Sequence, residues 1–200
     1  MTKPIAIVAS AYAEFSRDMT NADIRKLVKA ETGLSVRRLD NFTLTAMNAV
    51  YRLLHGREDI NGLIGLYSSA EYFSLELLQS IITSQSNGEP VRPLDFIATV
   101  GNAANFYLAK EFQLLGPNNF IGASENALEK SIWLTKCDFD LDLVSHAVVV
   151  IWHDTIEKRV CNAYLLNKTN NTQQALNLKG IEDSLNTMES NIYPYTINWI

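Results

Sequence analysis

The sequence predicts an α/β layered fold. Three observations carry this: short apolar runs alternate with amphipathic segments, the apolar runs lack polar alternation, and Gly, Pro or Asn clusters separate the segments. Residues 4–13, PIAIVASAYA, form the first apolar run and read as a buried strand. TNADIRKLVKAETG follows as a helix with Thr20 or Asn21 as N-cap and Gly33 as its stop. In LDNFTLTAMNAVYRLLHG, Phe42, Met47, Val50, Leu53 and Leu54 recur at helical spacing and Gly56 ends the run. INGLIGLYSS, Ile60–Ser69, is a strand covered on both faces. SLELLQSIITSQS is an amphipathic helix, and NGEPVRP is a loop by composition. The segment from Ala103 to Leu115 is apolar nearly all round, which predicts a helix buried on most sides, and Gly101, Ala103 and Ala104 at its start allow close approach of another backbone. NFIGA is a strand, ENALEKSIWLTKC a helix, LDLVSHAVVVIWHDT the central strand, and KRVCNAYLLN its hairpin partner.

The 200 residues suit a single domain, with a polar, Asn-rich loop at about 167–180 and an apolar, aromatic tail at 191–200. Hydrophobic residues make up 47% of the chain, enough for a substantial core. A formal charge of −5 argues against nucleic-acid binding, which needs a basic face. The pair Arg37–Arg38 reads as a solvated turn. Cys137 and Cys161 lack metal-ligand spacing and suit a reducing compartment, so the chain is expected to be cytoplasmic and the sequons at Asn41, Asn167 and Asn170 to be chance matches. No apolar run reaches membrane-spanning length. Neither a metal site nor a cofactor site is expected.

Pro93 to Asp154 resembles the N-terminal half of the β-ketoacyl synthases, the thiolase-like condensing enzymes. PLDFIATVGNAA is similar to the segment that crosses that family's dimer interface. FQLLGPNNFIGA resembles its G-L-x-G-P-x turn and following strand, and DLDLVSHAVVVIWHD its A-D-x-x-L-V-G-G-x-E strand. RRLDNFTLTAMNAVYRLL and GLIGLYSS with ELLQSI stand in the matching order, so the resemblance covers most of residues 1–165. It implies a thiolase-like layered half-fold, with a mixed β-sheet sandwiched between helices. The family's catalytic cysteine falls on Glu125, within Ala123-Ser124-Glu125-Asn126-Ala127-Leu128. A carboxylate cannot hold an acyl chain as a thioester, so no catalytic residue is expected here. The family's further histidines and lysine come from its C-terminal half. His55, His146 and His153 do not match them; His55 reads as a helix C-terminal residue, the other two as core or interface histidines.

Such a chain is similar to the short chain length factors of the aryl-polyene type. The resemblance implies a heterodimer with a β-ketoacyl synthase subunit, contact with acyl carrier protein through that complex, and a part in shaping the acyl tunnel. Phe96, Thr99, Val100, Asn102 and Tyr107, with Ser124 and Glu125, are the candidate interface and tunnel residues. For Phe96 the alternative is an ordinary core aromatic, and for Tyr107 that is the first reading. Glu125 reads first as a helix N-terminal carboxylate favoured by the macrodipole. The sharper alternative is a polar contact at the pseudo-active site or across the dimer. A different function would be a stand-alone malonyl-carrier decarboxylase or an acyltransferase using Glu125 or Ser124.

Overall fold

In the computed structural model, which describes residues 4–122, 126–153 and 155–169, five strands form one mixed sheet. They are β1 (Ile5–Ser16), β2 (Ile64–Ala70), β3 (Asn118–Gly122), β4 (His146–Trp152) and β5 (Lys158–Lys168), in the order β1-β5-β4-β2-β3. β2 is parallel to β3 and β4, and β5 is antiparallel to β1 and β4. The parallel pairs need helical crossovers, which the helices within residues 75–112 and then 127–140 supply, whereas β4 and β5 form a hairpin. β5 runs to Lys168 and takes the first residues of the expected 167–180 loop. Residues 170–180 of that loop and the 191–200 tail lie outside the described residues.

The apolar run of β4 is continuous because both faces are covered. Val148, Val150 and Trp152 enter one core cluster with α1 (Asn21–Thr32) and α2 (Asn41–Leu54). Ala147, Val149 and Ile151 enter a second, where Leu128, Ile132 and Phe139 of α6 (Ala127–Asp140) meet Tyr67 and Leu166. The helix ends follow their expected chemistry. Thr20 and Asp23 form a reciprocal capping box, and Gly33 closes α1 in the left-handed region at φ 71°. Asp40 caps α2 by accepting from the Thr43 N–H at 3.0 Å.

β1 carries a feature its apolar run did not disclose. Ile7 pairs with Leu166 and Ala9 with Leu165, so Val8 is a bulge. One extra residue exchanges the two faces. Ile5 and Ile7 therefore join the α6-side core, whereas Ala9, Ala11, Ala13 and Phe15 face α2.

The connection from β2 to β3 departs from expectation. α3 (Leu75–Ser86) has the expected extent but buries none of its residues. α4 (Pro93–Ala98), unanticipated, starts on Pro93 and buries none either. α5 (Ala103–Phe112) buries only Ala104, Asn105 and Leu108, while Phe106 is 60% exposed. The expectation of a helix buried on most sides is corrected: among the described residues no element covers the outer side of α3, α4 and α5.

Asn105, fully buried, ties α5 to the sheet. Its amide donates to Asn118 Oδ1 at 2.9 Å and to the Asn119 carbonyl at 3.1 Å, and its oxygen accepts from Ser68 Oγ at 2.6 Å. Asn105→Ala strands these groups and should destabilise the chain by about 1–3 kcal/mol in urea unfolding at neutral pH. An unchanged midpoint would show that the clamp is dispensable.

Candidate functional site

The corner that opens α6 follows β3, the short strand at one edge of the sheet. β3 ends at Gly122, and Asn126, in the left-handed region at φ 55°, precedes the first turn of α6. Ser124 and Glu125 lie outside the described residues. What fixes the flanks of the corner is visible. Ser69 Oγ donates to the Ile121 carbonyl at 3.0 Å, and the Asn105 clamp holds the start of β3. On α6, the buried Tyr67 hydroxyl donates to Asp138 Oδ2 at 2.6 Å. Burial and the Asp138 carboxylate together push the Tyr67 pKa far up, so it stays a neutral donor.

Two glycines set the packing of this region. A Cβ on Gly116 would meet the Ile64 carbonyl oxygen at 2.7 Å, so the turn into β3 lies directly on the β2 backbone. A Cβ on Gly101 would sit 2.7 Å from the Phe120 ring, so the close approach expected there is to a side chain rather than to a backbone.

The candidate interface residues fall on α4, on α5 and on the turn between them. Phe96 is 64% exposed and Val100 56% exposed. Thr99 is half-buried and donates its hydroxyl to the Phe96 carbonyl at 2.7 Å. Asn102 is exposed at the start of α5. Tyr107 is half-buried against the α2-side core, edge-on to Phe106 with ring centroids 5.4 Å apart. Thus Phe96, Thr99, Val100 and Asn102 come together on the surface, whereas Tyr107 points inward. Around them Ile97 is 55% and Leu94 51% exposed, and Leu75, Leu78 and Ile82 of α3 are each more than 40% exposed. Phe96, Ile97 and Pro93 also line a shallow groove of about 440 Å3 with Ile81 and Val91. Adjacent helices thus expose apolar side chains in a number typical of interaction surfaces.

Polar contacts rather than core packing fasten this surface to the domain. Ser74 Oγ lies 2.7 Å from Asp40 Oδ2 and 2.9 Å from the Ala98 carbonyl, and its single proton serves one of them at a time. Glu76, in the first turn of α3, accepts from Asn41 at 2.8 Å, Arg17 at 3.2 Å and Arg159 at 2.8 Å. Arg159 has a side chain only 7% exposed and also donates to the Ser16 and Arg17 carbonyls. Burial raises the Glu76 pKa, but the hydrogen bonds from Asn41 and Arg159 and the two guanidinium charges outweigh it and hold the carboxyl below its usual value. Sequence reasoning missed this hub. Its one signal was Arg159, a charge directly before the apolar run of β5.

The histidines are peripheral. His55 caps the C-terminus of α2 and stacks on Tyr51 with ring centroids 4.6 Å apart. His146 is half-buried at the first position of β4, with Nδ1 3.2 Å from the Asn61 carbonyl, and His153 is exposed, so neither is a core histidine. Among the described residues no group of three or more His, Cys, Asp or Glu could hold a metal ion, and no helix is long and apolar enough to cross a membrane.

No protein-family model and no curated protein sequence matches the chain. Solved structures do. The complex of the ketosynthase ApeO with its chain length factor ApeC from Xenorhabdus doucetiae matches with a TM-score of 0.62 at 11% identity, over 83% of this chain and 79% of that one. The ishigamide ketosynthase/chain length factor matches with a TM-score of 0.65 at 14% identity, over 86% and 64%. The type II polyketide synthase acyl carrier protein in complex with its ketosynthase, AntDE:AntF, matches with a TM-score of 0.59 at 10% identity, over 84% and 63%. The chain thus spans less than two-thirds of the latter two. At these identities the likeness is one of fold: the mixed five-stranded sheet between helices is the thiolase-like fold of ketosynthases and chain length factors, as the sequence implied.

Proposed function

We propose that the chain is a non-catalytic chain length factor that pairs with an active β-ketoacyl synthase and shapes its acyl tunnel, in aryl-polyene, polyketide or fatty-acid-like biosynthesis in the cytoplasm. The observation that carries this reading is the apolar surface of α3, α4 and the α4–α5 turn, where Phe96, Ile97 and Val100 are each more than half exposed. A fold whose neighbours were solved as ketosynthase complexes, and which exposes such a surface, is suited to an obligate partner. Glu125, at the position that the resemblance assigns to the nucleophile, supports a division of labour in which the partner supplies the thiolate. In this reading Phe96 and Val100 face the partner's acyl tunnel, where bulk limits chain length by exclusion; adding even a few methylenes against a packed wall costs about 1–3 kcal/mol. Carrier protein reaches the assembly through the ketosynthase.

The test is affinity capture of the tagged chain from its native cells, followed by identification of the bound protein. The expected result is a one-to-one complex with a ketosynthase that retains its catalytic cysteine. A chain recovered as a well-behaved monomer that ignores every ketosynthase would contradict the proposal.

A further inference from the structure

Six of the chain's eight arginines line one cleft of about 1170 Å3: Arg17, Arg25, Arg37, Arg38, Arg92 and Arg159. No lysine lines it among the described residues, although lysines outnumber arginines in the chain. The cleft lies beyond the end of β1, between the turn that leads into α2 and the first turns of α3 and α4. This selection of guanidinium over ammonium is chemical. A guanidinium offers a planar fork that meets a carboxylate or phosphate through two parallel hydrogen bonds, whereas an ammonium acts as a point charge.

Three of the six are already engaged. Arg17 and Arg159 bind Glu76, and Arg25 binds the Asn21 side chain and the Leu39 carbonyl. Arg37, Arg38 and Arg92 are exposed, and none of their guanidiniums forms a hydrogen bond or ion pair with another described residue. Of the three carboxylates in the lining, Glu76 is held by the arginine hub and Asp40 by Thr43 and Ser74, which leaves Asp95 against three guanidiniums. Arg37 and Arg38 do occupy an exposed turn, as the sequence suggests, but the turn forms part of this cleft. The same lining carries apolar side chains in contact with solvent: Leu75 is 52%, Leu94 51% and Ile156 97% exposed. The volume exceeds the roughly 300–1,000 Å3 of ordinary small-molecule sites, which leaves room for more than a head group.

We propose that this cleft binds an amphiphilic oxyanion, with its phosphate or carboxylate head on Arg37, Arg38 and Arg92 and its apolar body along Leu75, Leu94 and Ile156. The head-group site, Arg37, Arg38 and Arg92, is argued independently of the assignment as a chain length factor, although Leu75 and Leu94 belong both to this cleft and to the apolar surface of α3 and α4.

Isothermal titration calorimetry on the full chain tests it, at about 0.15 M salt so that long-range attraction between exposed charges is screened. The probes are octyl phosphate, octanoate, octanol and inorganic phosphate. At least one of the first two should bind, and octanol and inorganic phosphate should each bind at least about tenfold more weakly. The tighter of octyl phosphate and octanoate assigns the head group. Arg37→Ala with Arg92→Ala should weaken binding by about tenfold or more, and Arg37→Lys, which keeps the charge and loses the fork, should weaken it as well. Arg38 is left alone because its backbone has φ 68°. Lys26→Ala with Lys29→Ala, on the exposed face of α1, should change nothing. The proposal is overturned if neither amphiphile binds, if octanol or inorganic phosphate binds as well as the amphiphile, or if the arginine variants keep full affinity with an unchanged melting temperature.

Discussion

Phe96→Asp combined with Val100→Asp is expected to weaken pairing with the ketosynthase by more than about a hundredfold and to leave the melting temperature of the isolated chain unchanged. The two side chains are 64% and 56% exposed, so removing them takes little from the core. In a complex they would be desolvated, and two carboxylates in their place would be buried without counter-charges. An unpaired buried charge costs several kcal/mol, and each 1.4 kcal/mol is about a factor of ten in affinity. Leu27→Asp on α1, at a residue 50% exposed on another part of the domain, serves as control and should leave pairing intact. Sedimentation or calorimetry with the purified ketosynthase measures both. If the double variant pairs as well as the parent chain, the docking surface lies elsewhere.

The largest effect on stability outside the apolar core is expected at Arg159. Arg159→Ala removes the guanidinium that joins Glu76 to the Ser16 and Arg17 carbonyls. Breaking a buried pair by removing one partner costs about 3–5 kcal/mol. The Glu76 side chain is 40% exposed and recovers part of its hydration, which lowers the expected loss to about 2–4 kcal/mol. The same hub gives the stability a pH dependence of defined sign. The Glu76 carboxyl is held below its usual value in the folded chain, so its contribution is fully present above that value. It is lost as the pH falls from about 4 through the lowered native value. Glu76→Gln should therefore flatten the fall in urea midpoint between about pH 4 and pH 2.5 while lowering the midpoint at neutral pH. A parent and a Glu76→Gln curve that run parallel over that range would show that Glu76 carries none of the acid sensitivity.

The parts of the fold legible in the sequence are those whose side chains serve a single core. β4 reads as central because Ala147 to Trp152 are buried on both faces, and α2 because Met47, Val50 and Leu53 recur toward one face. The Val8 bulge was not legible, since alanines on both sides of it give no contrast between faces. The burial of α5 was misjudged for a different reason. An apolar helix face reads the same in sequence whether or not its own chain covers it, so Phe106 looked like core and lies exposed. Of the candidate site, the α4–α5 turn could be found through the family resemblance of its segment. The arginine cleft could not, because it gathers residues as far apart in sequence as Arg17 and Arg159, and only the adjacent pair Arg37–Arg38 hinted at it.

In the proposed complex, condensation belongs to the companion subunit and this chain takes no covalent part. The most direct measurement is single-turnover condensation by the reconstituted complex, with radiolabelled malonyl-carrier protein as extender, comparing Glu125→Ala, Ser124→Ala and a complex whose ketosynthase lacks its nucleophilic cysteine. Both substitutions in this chain are expected to keep the condensation rate to within about threefold, whereas loss of the ketosynthase cysteine should abolish it. A rate that collapses on Glu125→Ala or Ser124→Ala in an intact complex, or turnover by this chain alone, would contradict this division of labour.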